Sequence, residues 1–364
     1  MSDVTVKVSR KALGEVLNAL ERIIPNRPTH PIMGYLKIEV SPGNLALSAA
    51  NNEVEIQGTL SGETSESAGS AILPAHLFIQ IVKNISSDTI LLSFFENECQ
   101  IQGEHYKTKL QTGNLDSYPS LSFLQEKILE IDAKEFSKSI LGVRYAVSMD
   151  AFQAVFRGIK IEMHENITKV VASDGFRLAI KEFPSSSAKK DIIIPARAID
   201  EIVRLFKDGK LYFTFLDGKL CISTEKYQIN VKLLEGEFPD YERVIPKEIK
   251  LSIKLSANDL KESVHRVAVM ANKAANNRVD FQIANSTLQL SAEGDYGRSQ
   301  DVIEVDQLGS EVAMVLGFNA KYVTDALGPI EGEVVVEFSG PNTPAVFRSS
   351  QTHEYLAVVV PLRS

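Results

Sequence analysis

The sequence predicts an α+β protein made of three tandem copies of one unit, two helices backed by antiparallel sheets. Three observations predict it: a strand, cap and helix opening that recurs, a second helix start that recurs in step, and β-branched runs that fill the intervals. The openings are residues 4–8 before Ser9, 128–131 before Asp132 and 251–255 before Ser256, so the caps stand 123 and 124 residues apart. Glu135 follows Asp132 and Asp259 follows Ser256 at the third helical position, where a carboxylate can reach back to the cap amide. The second helices start at Pro74-Ala75, Pro195-Ala196 and Asn319-Ala320, offset by 121 and 124 residues. Proline suits a first helical position, since its missing N–H would have no partner there. The first two copies also close alike: residues 110–118 parallel 233–241, with Gly113 and Gly236, and Tyr118 and Tyr241, displaced by 123.

The candidate helices are residues 10–22, 74–84, 132–147, 195–210, 256–278 and 319–330. Runs rich in β-branched and aromatic residues at 36–40, 45–49, 90–95, 158–162, 211–215 and 334–338 read as strands, giving about eight strands per unit. The small, polar segments 61–70 and 185–190 read as exposed loops. A chain of 364 residues exceeds what one hydrophobic core usually serves, and domains are expected at 1–122, 123–249 and 250–364.

The composition, 44% apolar and 24% charged, is that of an ordinary folded protein. Residues 1–7 lack an apolar stretch after a basic start and the apolar run 356–361 is too short to span a bilayer, so a cytoplasmic chain with no membrane partner is expected. Two cysteines, Cys99 and Cys221, both in strand-like runs, make no disulfide framework. The net charge of −8 argues against a polyanion partner if charge is evenly spread, and it is not. The six candidate helices carry net +1, +1, +1, +1, +2 and 0, leaving −14 on the rest of the chain. On the first helix Leu13, Leu17, Leu20 and Ile24 oppose Lys11, Asn18 and Arg22; on the fourth Ile199, Ile202, Val203 and Phe206 oppose Arg197, Arg204 and Lys207. One lysine-bearing helix face is ordinary solvation. Five of six sharing a sign would suit phosphate backbones without reading sequence.

Motifs of catalysis are missing from the sequence. There is no Gly-x-x-x-x-Gly-Lys-Ser/Thr, Gly-x-Gly-x-x-Gly, His-Glu-x-x-His or Cys-x-x-Cys, and the six histidines are scattered without ligand spacing, so neither cofactor nor metal is expected. Ser223-Thr-Glu-Lys226 matches Ser-x-x-Lys but falls in an expected hairpin without its companion motifs.

Five segments together resemble the β sliding clamps of bacterial replicative DNA polymerases. They are 172–179 (Ala-Ser-Asp-Gly-Phe-Arg-Leu-Ala), 235–246 (Glu-Gly-Glu-Phe-Pro-Asp-Tyr-Glu-Arg-Val-Ile-Pro), 358–364 (Val-Val-Val-Pro-Leu-Arg-Ser), 26–34 (Asn-Arg-Pro-Thr-His-Pro-Ile-Met-Gly) and 317–322 (Gly-Phe-Asn-Ala-Lys-Tyr). By itself, Asp174-Gly175 is a hairpin turn and 358–360 a buried strand. The resemblance implies three DNA-clamp domains per subunit, a homodimeric ring around duplex DNA with helices inward, and no enzymatic activity. It implies DNA-facing roles for Arg27, Lys83, Arg197, Arg204 and Lys207. It also implies a pocket for short peptide motifs of the polymerase, clamp loader and repair proteins, formed by Phe156, Ser173, Gly175, Phe176, Arg177, Leu178, Pro239, Arg243, Val244, Asn319, Tyr322, Val358, Val359, Val360, Pro361, Leu362 and Arg363. Phe156 stands where leucine is usual, Phe176 where a polar residue is frequent, and Val360 and Leu362 where methionines occur; a narrower subsite at Phe156 follows. Residues 149–154 read as lacking the aromatic or arginine that some members place near DNA. The other functional reading of the sequence is a triple-repeat peptide adaptor that does not encircle DNA.

Overall fold

The computed structural model describes residues 4–124, 126–185, 189–216, 218–309 and 313–363. Residues 1–3 at the start, 186–188 of the expected loop at 185–190 and Ser364 at the end lie outside the described residues.

All six expected helices form: α1 (Arg10–Glu21), α2 (Ala75–Asn84), α3 (Ala133–Val143), α4 (Ala196–Leu205), α5 (Ala257–Ala268) and α6 (Ala320–Leu327). Ser9, Ser256 and Asn319 cap α1, α5 and α6, each side chain accepting a first-turn backbone N–H. Pro74 is the cap of α2 rather than its first helical residue, and Pro195 likewise ends the strand before α4. A residue without an N–H is equally free of loss there, because each proline closes a strand at its terminal pair, Tyr35 with Pro74 and Gly158 with Pro195. The fifth helix is shorter than expected. It stops at Ala268, and Asn276 and Asn277 at φ 57° and 51° bar any continuation to residue 278. The sequence 61–70 is not all loop, since Glu63–Thr64 pairs with Val6 and Lys7.

Sheet pairing repeats as the helices do. The strand that opens each copy lies antiparallel to the strand that follows its second helix: Val4–Ser9 with Thr89–Phe94, Leu129–Asp132 with Lys210–Leu216, and Leu251–Ser256 with Glu333–Phe338. A subtler echo lies on the strands Tyr35–Ser41 and Gly158–His164. Lys37 pairs with Glu39 at 2.7 Å, and 123 residues later Lys160 pairs with Glu162.

The described residues divide into two compact bodies, residues 1–133 with 200–233 and residues 134–199 with 234–364. The first contains a five-stranded and an eight-stranded sheet, the second a nine-stranded and a four-stranded one. Repeats and bodies do not coincide, because two sheets run on from one repeat to the next. Tyr227–Lys232 pairs with Val54–Ser61 in the eight-stranded sheet, and Arg177–Pro184 pairs with Tyr355–Val359 in the nine-stranded sheet.

In the first body, Tyr35–Ser41 and Val54–Ser61 bury alternate residues, including Leu36, Ile38, Val40, Val54 and Ile56. Such side chains contribute roughly 1.5–3 kcal/mol each. Helix α1 covers that sheet with Leu13, Val16, Leu17 and Leu20. A Cβ at Gly58 would stand 2.6 Å from Val16 Cγ1, so the glycine is what lets helix and sheet close up. Cys99 and Cys221 are buried and free, as their strand positions suggest, and burial pushes the Cys99 thiol up to about 12. Among the described residues no helix is long and apolar enough to cross a membrane.

Candidate peptide pocket and helix cations

The strand Arg177–Pro184 in the second body sends alternate side chains to opposite sides. Leu178 and Ile180 join a core with Val155, Phe238, Tyr241, Val346 and Val358. On the other side Arg177 faces α6, and Phe183 packs edge-on against Phe136 of α3 at 6.5 Å.

The turn before this strand holds itself by side chains. Asp174 Oδ1 accepts from the backbone N–H of Phe176 at 2.9 Å and of Arg177 at 3.0 Å, while Ser173 donates to the Arg177 carbonyl at 2.8 Å. Gly175 takes φ 89°, as the Asp-Gly pair suggests. The carboxylate takes up these two N–H groups just as the strand begins at Arg177.

Arg177 is 9% exposed and bound to two carboxylates, Asp174 at 2.9 Å and Asp325 at 2.6 Å, with its guanidinium 4.4 Å from the Tyr322 ring centre. Burial alone would lower its basicity, but the bonds and charges of Asp325 and Asp174 outweigh that and hold it above the ordinary arginine value. Asp325 also accepts from Lys321 at 2.9 Å. Beneath lie Tyr145 and Tyr355, joined hydroxyl to hydroxyl at 2.7 Å, with Tyr355 donating to the Ala326 carbonyl.

Above Leu178 and Val358 opens a pocket of about 210 Å³. Nine of the expected residues line it: Phe156, Ser173, Gly175, Arg177, Leu178, Pro239, Val244, Val358 and Val360. Eight do not. Phe176 points outward at 62% exposure, although its carbonyl accepts from Val360 at 3.0 Å. Arg243 is exposed and paired with Asp240 at 2.7 Å. Val359 is buried in the opposite core, with Tyr322 packed against that same core. Asn319 is the cap of α6. Pro361 is half-buried beside the pocket, Leu362 bonds Gly317 at 2.7 Å, and the Arg363 carbonyl accepts from Arg278.

Three lining residues were missed by the sequence reading: Phe238, Asp240 and Tyr241. The signal was present in Phe-Pro-Asp-Tyr, two aromatics three residues apart across a proline. Phe238 stands edge-on between Phe156, at 5.8 Å, and Tyr241, at 6.4 Å. Phe156 lines this end of the pocket.

Tyr241 donates to Glu162 at 2.7 Å, and Lys160 pairs with the same carboxylate. Burial raises the Glu162 carboxyl, but the bonds from Lys160 and Tyr241 and the charges of Lys160 and Lys169 bring it below the ordinary value. A depressed carboxylate contributes stability that is full above the unfolded value near 4.3 and is lost as pH falls through the folded value. Glu162→Gln is therefore expected to flatten the acid limb of stability, measured by urea unfolding from neutral pH to about pH 3. An unchanged limb would remove Glu162 from this role.

The helix cations are less uniform than the sequence implies. Lys83 is paired with Glu21 at 2.7 Å; Arg204 is held by Glu201 at 2.8 Å and donates to the Ala19 carbonyl at 3.1 Å. Arg22 shares Glu201. Arg27, Arg197 and Lys207 are exposed and, among the described residues, have no carboxylate in ion-pair reach. The segment 149–154 does contain an aromatic, Phe152, which is fully exposed and which the sequence reading overlooked.

Three consecutive family models match this chain: the N-terminal, central and C-terminal domains of the DNA polymerase III beta subunit, at residues 4–122, 130–240 and 242–363. The chain belongs to the DNA polymerase III beta subunit family. Among curated relatives of the family, the beta sliding clamps of Staphylococcus epidermidis and Staphylococcus aureus are each 24% identical over 363 residues, covering 96% of both chains. Among solved structures, the DnaN sliding clamp of Pseudomonas aeruginosa bound to griselimycin is 23% identical with a TM-score of 0.91 over 100% of both chains. The sliding clamp of Bacillus subtilis, 20% identical, reaches 0.93 over 100% of both. The beta subunit of Thermotoga maritima, 25% identical, reaches 0.88 over 99% of this chain and 100% of its own. The family's fold therefore extends along the whole chain, at 20–25% identity to these solved structures.

Proposed function

We propose that this chain is a DNA sliding clamp: a non-catalytic ring subunit that encircles duplex DNA and tethers the polymerase and other factors by short peptides. The observation that carries the reading is the unbroken run of three beta-subunit domains along the chain. The expected domains 1–122, 123–249 and 250–364 are taken as its repeats. The pocket at Leu178 supports the tethering role. Its volume lies below the roughly 300–1,000 Å³ of small-molecule sites and suits one or two apolar side chains of an extended peptide. Phe176, Arg243, Asn319, Tyr322, Val359, Pro361, Leu362 and Arg363 then act as rim or support.

Among the described residues, two of the edge strands support assembly of two copies. Lys107–Gln111 closes the five-stranded sheet on one side and Gly297–Glu304 the four-stranded sheet. Each copy can offer both, and two head-to-tail interfaces would close a ring.

The exposed cations Arg197 and Lys207 at either end of α4 support phosphate binding, whereas Arg204 and Lys83 act first through their carboxylate partners. Arg197→Glu with Lys207→Glu is expected to weaken retention on nicked circular DNA. It should also reduce the slope of log affinity against log salt by about 0.9 for each phosphate that is no longer neutralised. Retention equal on circular and linear DNA, or indifferent to both reversals, would favour the peptide adaptor instead.

A further inference from the structure

Residues 238–246 pack against one face of the nine-stranded sheet, and an opening lies on each side of their short helical turn, Tyr241–Val244. One is the peptide pocket over the paired residues Leu178 and Val358. The other, of about 290 Å³, lies over the next pair on the same face, Ile180 with Leu356. Two residues along a strand are roughly 7 Å, and Tyr241 forms a wall of both openings.

The floor of this second opening is apolar and belongs to the core already described. Ile180, Leu356 and Tyr241 are 6%, 9% and 8% exposed, and Ile245 packs against them. The rim carries three cations and three carboxylates, so no net field selects an anion or a cation. Lys169 is paired with Glu182 at 3.2 Å, and Arg348 is held by Glu337 at 2.9 Å. Among the described residues His353 and the rim carboxylates form no metal-holding group. The opening is built to bury an uncharged, apolar group.

We propose that it receives an apolar side chain from the flank of the same partner segment whose motif fills the peptide pocket. This rests on the peptide reading of the first pocket. A common wall and a common sheet face make the two openings one continuous surface. The crest between them is passable, since Val244 is 47% exposed and Glu242 and Arg243 are exposed as well. A recess of this size holds one large side chain, not the roughly 800 Å² per partner that a stable folded interface needs. Climbing over one helical turn takes about three to five extended residues at about 3.3 Å each. Partners sharing a motif would then be ranked by an apolar residue at that distance, while exposed ion pairs at the rim add little.

The test uses the full chain and labelled synthetic peptides. One carries only Leu-Phe between serines, for the first pocket. The others extend it, at either end, through a Gly/Ser spacer of about four residues to tryptophan or, as control, to serine. Fluorescence anisotropy should show the tryptophan peptide binding about tenfold tighter than its serine control in one of the two directions. With p-benzoylphenylalanine in place of the tryptophan, photocrosslinks should map to residues 245–247 or 353–356. Ile245→Ala should remove most of the tenfold advantage. Should that variant not fold, the crosslink map on the unchanged protein decides alone. Equal affinity of tryptophan and serine peptides in both directions, crosslinks elsewhere, or an advantage undiminished in the folded variant would overturn this inference and leave the first pocket's reading intact. No binding of the Leu-Phe peptide would overturn that reading, and this one with it.

Discussion

Arg177→Met is expected to destabilise the protein by about 3–5 kcal/mol, the cost of stranding buried charge by removing its partner. Methionine keeps much of the volume, so the loss would be electrostatic. Asp174 and Asp325 would face each other across the emptied site, 10% and 21% exposed, with no guanidinium between them. Each keeps something: Asp174 two backbone N–H groups, Asp325 the Lys321 ammonium. That places the result toward the lower end of the range. Urea unfolding of the variant measures it, and adding Asp325→Asn should recover part of the loss by removing one stranded charge. A loss under about 1 kcal/mol, or no recovery in the double variant, would mean that the network is dispensable. Because the same residue closes the Ser173–Phe176 turn, partner-peptide affinity should fall with stability.

Phe238→Ala should cost about 3–5 kcal/mol as well, by a different route. Phe238 is 7% exposed, wedged edge-on between Phe156 and Tyr241, and its ring is part of the pocket wall. Truncation leaves a cavity that two neighbouring aromatics cannot fill without giving up their own packing. Phe238→Leu keeps most of the volume and should cost less than about 1.5 kcal/mol. Titration with an apolar partner peptide should show affinity tracking the cavity, abolished in the alanine variant and largely kept in the leucine one. Equal affinity in both would place the peptide elsewhere on the surface.

Much of the fold was legible because its signals are local. Ser9, Ser256 and Asn319 mark helix starts through a cap that needs only neighbouring residues, and the period near 123 shows in caps and turns alone. The helix end at Ala268 was not legible. Residues 269–278 keep good helix formers, but Asn272 turns extended (φ −76°, ψ 125°) to cap a separate short turn at Lys273–Ala275, so the run is already broken before the left-handed Asn276 and Asn277. Within the pocket, Leu178 and Val358 were legible by resemblance. Phe238 and Tyr241 were not singled out because an aromatic in a proline-rich loop reads as an anchor until its partners are known. Arg204 shows the opposite limit. Its position on a basic helix face is periodic and visible, but its engagement with Glu201 and the Ala19 carbonyl depends on a residue 185 positions away. The pair Lys160 and Glu162 was visible as letters, with its double in Lys37 and Glu39. Only packing shows that one copy became the foundation under Tyr241.

The sheets that run on from one repeat to the next set how this gene can be cut. A fragment ending at residue 122 would strip Tyr227–Lys232 from Val54–Ser61 and expose a bare strand edge, which invites aggregation. One ending at 249 would do the same to Arg177–Pro184 by removing Tyr355–Val359. No single cut frees the first compact body either, since it is assembled from two separated stretches of chain. The repeats are units of sequence pattern and the bodies units of packing, and dissection along the first would not isolate the second.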